Sequence, residues 1–109
     1  MANGIADAAG REAYLAGFHA AWAYIVRRTG EGPKTHAGTR TELARLIREL
    51  SELPAEFGTF LGRGYEFKIH ADYFGGIAPN LDDARDALDL ADRLIRAVEV
   101  LLTSDDQSA

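Results

Sequence analysis

Apolar residues in this chain recur at steps of three and four, and no stretch alternates in the one-in, one-out manner of a strand. Over residues 3–28, Tyr14, Leu15, Phe18, Ala21, Trp22, Ile25 and Val26 form one helical stripe. Asn3 can cap its start, and Gly30, Gly32 and Pro33 end it. A second segment covers about 35–50, with Leu43, Leu46, Ile47 and Leu50 as its buried edge. Two starts are open for it: Thr35 as the cap, or Thr39 with Glu42 in a capping-box spacing. A third begins at Pro54 and reaches 72 or 73. It contains Gly58, Gly62 and Gly64, each costing about 1 kcal/mol relative to alanine, which packing must offset. The fourth is capped by Asn80, places Asp82 and Asp83 at its positive end, and carries Ala84, Ala87, Leu88, Ala91, Leu94, Ile95, Val98 and Leu101 or Leu102. The pattern predicts an all-α, four-helix up-and-down bundle. It forms a single domain over 1–109, with a core of about 4–103 and a disordered tail at 104–109.

At 109 residues there is room for one core, and pairing with a second copy would bury more surface. The absence of cysteine removes disulfides, thiolate metal sites and cysteine nucleophiles. No apolar run approaches the roughly 20 residues needed to cross a bilayer. The start, Met1-Ala2-Asn3-Gly4, lacks the flank of a signal peptide, so the expected location is cytoplasmic. The net charge of −5 argues against adhesion of the whole surface to nucleic acid, yet the charge is uneven. Residues 25–48 hold six basic residues against Glu31 and Glu42, whereas residues 82–106 hold eight acids against three arginines. Either the two faces are simply solvated, or they orient a partner or RNA.

The third segment separates the candidate residues. On a helical wheel of about 100° per residue, Lys68 and Asp72 fall with Phe57 and Leu61, and Tyr65 borders them. Arg63, Glu66, His70 and Tyr73 fall on the other side. An inward Lys68–Asp72 pair is either an ion pair fixing helix packing or a polar cleft for an anion or partner group. Arg63 and His70, six residues apart, match a phosphate-holding arginine and a proton-moving histidine, or else an exposed polar stripe. His19 borders the first stripe. His36 opens the second helix, where the helix dipole disfavours its protonated form. The histidine spacings give no metal pair, and nothing calls for a cofactor.

Ala13-Tyr14-Leu15-Ala16-Gly17-Phe18-His19-Ala20-Ala21, then Lys34-Thr35-His36-Ala37-Gly38, then Lys68-Ile69-His70-Ala71-Asp72-Tyr73 follow in order. They resemble the A-Y-Y-A-x-F-H-A-A, K-[ST]-H-x-G and R-x-x-A-D-Y motifs of HEPN-domain proteins, over roughly 10–102. The resemblance implies a HEPN-like bundle that forms a homodimer, often beside a nucleotidyltransferase in toxin–antitoxin pairs. Some members are metal-independent ribonucleases with an R-x4–6-H motif, and others are binding modules. It also implies that the first helix here is short. Lys68 stands where the motif has arginine, keeping the charge but losing the two-pronged grip on phosphate. His70 follows too soon for the nuclease spacing, and Arg63, which restores it, lies on the opposite face.

The expectation is therefore a dimeric module binding a nucleotidyltransferase, nucleotide or RNA through Lys68, Asp72 and Tyr73, then His19 and His36. The alternatives are a ribonuclease using Arg63 and His70 across the dimer, and a non-catalytic assembly domain.

Overall fold

The computed structural model describes the backbone of residues 2–69 and 81–108, and side chains over 8–62 and 85–106. The described residues form four helices and no strand: α1 (Ala2–Thr29), α2 (His36–Leu50), α3 (Glu56–Ile69) and α4 (Leu81–Ser108). The all-α, four-helix bundle read from the sequence is what the chain forms.

Three helices meet on α1, and their interdigitated apolar faces make one core. Tyr14, Tyr24, Ile25, Leu43, Leu61 and Leu94 are fully buried in it, with Phe57, Phe60, Ala91 and Val98 beside them. Each large side chain removed from water stabilises the fold by about 1.5–3 kcal/mol before entropy is counted. The α1 stripe is rotated relative to the sequence reading, toward Ala13, Gly17 and Tyr24. Gly17 lets α3 approach closely, since a Cβ there would fall 2.3 Å from Phe60 Cε1. Trp22, assigned to the stripe, is instead 40% exposed, because its indole N–H reaches out to the carbonyl of Pro33. Leu88 and Leu50 are also exposed, though by less than half.

The helix directions follow from the cross-chain pairs. Gly17 faces Phe60, and Tyr24 and Arg28 reach Glu52, so α3 descends along α1. Arg27 and Arg28 meet Asp106 and Asp105, so α1 and α4 end together. From α2 to α4 the helices alternate as an up-and-down bundle does. The α1–α2 connection refines that picture. Gly30 adopts φ 83°, a left-handed turn that glycine takes without steric cost. The chain then runs back along α1, past Trp22, and delivers His36 beside Tyr14.

Local chemistry fixes the ends. Thr35, not Thr39, caps α2: its Oγ1 accepts the Gly38 amide at 2.9 Å. Thr39 is buried within the helix and donates to the Thr35 carbonyl, while Glu42 pairs with Arg45. Ser51 closes α2 in a left-handed conformation. Pro54 precedes α3 in a turn whose carbonyls at Pro54 and Ala55 receive the amides of Phe57 and Gly58. The tail expected beyond 103 is helical to Ser108, held because Asp105 and Asp106 pair with Arg28 and Arg27.

Candidate binding site

The backward connection brings two sequence segments together that lie more than a dozen residues apart. Tyr14 is fully buried, and its hydroxyl shares a 2.7 Å hydrogen bond with Nδ1 of His36. The His36 ring stacks on Phe18 with centroids 4.3 Å apart and planes inclined by 24°. Tyr14 lies close to parallel with the same imidazole at 5.8 Å. His19, exposed on the next position of α1, sets its ring edge-on to Phe18 at 5.8 Å. One tyrosine, one phenylalanine and one histidine thus form a stack at the first residue of α2, with a second histidine at its edge.

The position of His36 has consequences for binding. It follows the cap directly, so it stands where the amides of the first helical turn gather partial positive charge. Lys34, two residues earlier, is exposed and lines a shallow depression of about 440 Å³ with Thr29, Gly32, Gly38 and Glu42. That depression lies along the connection and does not include the ring stack. An aromatic stack, a helix start and an ammonium group within three residues can hold a base by its face and a phosphate by its charge.

The other charged cluster is at the far end of α1. The Arg28 guanidinium, with its side chain only 15% exposed, grips both carboxylate oxygens of Glu52 at 2.8 and 2.9 Å and also reaches Asp105. It lies 5.3 Å above the Tyr24 ring, and the Tyr24 hydroxyl donates to Glu52 at 2.9 Å. The bonds from Arg28 hold the Glu52 carboxyl below its usual range, against the opposing effect of burial. Burial first, then the bond to Glu52, push the Tyr24 phenol up to about 12. This clasp uses part of the basic and acidic excess seen in the sequence to tie α1, the α2–α3 turn and α4 together.

Of the residues singled out beforehand, His19 and His36 are brought together through Phe18. Arg63 and Lys68 lie on α3 with side chains outside the described set, and His70, Asp72 and Tyr73 lie outside the described residues. The described first half of α3 does bury Phe57, Phe60 and Leu61, the side on which the wheel places Lys68. Tyr14 and Phe18 were read as core alone, although the motifs that contain them supplied the signal for a site. Among the described residues no group of histidine and carboxylate side chains is placed to hold a metal, and no helix is long and apolar enough to cross a membrane.

Comparison with curated proteins and with solved structures finds no significant match. The family comparison is decisive: the HEPN domain model matches residues 1–101, nearly the whole helical bundle including both segments that build the ring stack, and the chain belongs to the HEPN domain family.

Proposed function

We propose that this chain is a dimeric HEPN-type module of a toxin–antitoxin or related stress system, and that it binds RNA or a nucleotide through the Tyr14–Phe18–His36 stack. His19 and Lys34 flank the site. A nucleotidyltransferase is the partner this reading expects, and Lys68, Asp72 and Tyr73 belong to it as further contact residues.

The observation that carries the reading is the meeting of the two motif segments. Buried Tyr14 fixes the imidazole of His36, and Phe18 holds its plane, so the ring is set before any ligand arrives. Half-buried Phe18 and His36, with exposed His19 beside them, offer ring surface to a base, and the α2 start with Lys34 offers positive charge to a phosphate. With a net charge of −5, attraction to RNA has to be local rather than spread over the surface. Binding through one such patch engages few phosphates, so its salt dependence is shallow.

The test is fluorescence anisotropy with labelled single-stranded RNA and with a labelled adenosine nucleotide, alongside light scattering. The expected result is a dimer with saturable binding that weakens about tenfold or more in His36→Ala while the helical circular dichroism is unchanged. A folded protein that takes up neither probe, or a His36→Ala variant that binds as well as the parent, would sink the reading. A monomer by light scattering would remove its dimeric part.

A further inference from the structure

The connection that delivers Lys34, Thr35 and His36 has a composition that does not hold itself in place: Gly30-Glu31-Gly32-Pro33. Its first part is tied to α1, with the Gly30 amide on the Val26 carbonyl and the Glu31 amide on Thr29 Oγ1. Its last part is tied by the Thr35 cap. From Gly32 to Lys34, the hydrogen bond that the described residues provide is the one from Trp22 Nε1 to the Pro33 carbonyl, at 2.9 Å. The indole also packs against Gly32. A Cβ at that position would fall 2.2 Å from Trp22 Cζ2 and 2.4 Å from Cε2. A large aromatic side chain, 40% exposed, therefore serves the connection rather than the core.

We infer that Trp22 is a positioning residue for the binding cluster: by holding Gly32 and Pro33 it sets the register in which Lys34 and His36 are presented at the start of α2. The inference rests on the binding role proposed above, but its positional part is measurable without any ligand. Pro33 is two residues from the Thr35 cap and three from His36, so a shift at Pro33 has almost no chain in which to dissipate. Trp22→Phe keeps an aromatic ring and removes the N–H. Gly32→Ala keeps the N–H but drives the indole from its seat.

Three measurements test this together. The Gly38 amide reports the cap directly, because it bonds Thr35 Oγ1. In Trp22→Phe its hydrogen exchange should quicken about fivefold or more while the amides of Leu94 and Val98 in α4 exchange as before. A merely structural role would instead loosen α4 as well. Gly32→Ala should reproduce the effect alone and add little in the Trp22→Phe background, where the atoms it would strike are gone. RNA affinity should fall about fivefold in each single variant, the loss of roughly one hydrogen bond. Unchanged Gly38 exchange in both variants overturns the positioning role whatever the affinity does. Quickened Gly38 exchange in a parent protein that binds no RNA or nucleotide would leave Trp22 as the residue that sets the connection, and would remove only the proposed function. Additive effects of the two substitutions would show that they act by separate routes and would overturn the latch.

Discussion

Two regions of α1, its middle around Tyr14 and its C-terminal end at Arg28, solve opposite problems. At its C-terminal end, Arg28 is wrapped by Glu52, Asp105 and the Tyr24 ring, and each full charge is answered by another from this same chain. Near Tyr14 ring meets ring, and a hydroxyl and an imidazole share a hydrogen bond. Strong, directional charge pairs fasten elements together but leave little for a ligand. A stack of weakly polar rings beside a helix start presents ring surface and partial charge rather than paired full charges. The first arrangement suits a structural clasp and the second a binding surface.

The largest effect is expected at the clasp. Arg28→Ala leaves Glu52 and Asp105 near each other without their shared cation, at a cost of about 2–3 kcal/mol. Thermal unfolding should register it as a marked fall in midpoint, with RNA or nucleotide affinity corrected for folded fraction unchanged. A parallel loss of affinity would mean that the clasp and the stack are not separable. At the ring stack the balance reverses. Tyr14→Phe removes the part-buried hydrogen bond to His36 and should cost about 1 kcal/mol of stability. Ligand affinity should nonetheless fall severalfold, because His36 loses the group that orients it. Full affinity in a Tyr14→Phe protein would break the contrast from that side.

The sequence made the stack and the clasp unequally legible. Helical periodicity marked all four helices, and the A-Y-x-A-x-F-H-A and K-T-H-x-G segments marked the region that forms the stack. Which atoms would touch was not legible, because that depends on the connection after Gly30 turning back along α1. A glycine-proline stretch announces a break without announcing its direction. The clasp left still less trace. Tyr24 sits beside the expected stripe, and its burial is acceptable only because Glu52, far along the chain, accepts its hydroxyl. Asp105 and Asp106 read as a polar tail for the same reason: their partners are at the other end of the sequence. Trp22 shows the reverse error, since hydrophobic patterning cannot distinguish an indole that fills a core from one that pins a loop.

The smallest effect, and the finest division of the clasp, lies in its response to pH. Glu52 has a folded-state pKa lowered from 4.5, chiefly by the Arg28 bonds, so its contribution is present above that value and is lost as pH falls through the lower one. Tyr24 is shifted the other way, from 10.0 to about 12, so its contribution is present below pH 10 and is lost as pH rises toward 12. Glu52→Gln should flatten the acid limb of the stability profile, because the amide has no proton to take up. The alkaline limb should shrink without vanishing. Burial is the first cause of the Tyr24 shift and persists in the variant, whereas the carboxylate's repulsion of a phenolate is gone. Tyrosinate absorbance during an alkaline titration reads this directly: the Tyr24 phenol should titrate closer to 10 in the variant than in the parent but stop short of it. A complete return to 10 would mean that charge, not burial, controls Tyr24, and that the clasp is electrostatic throughout.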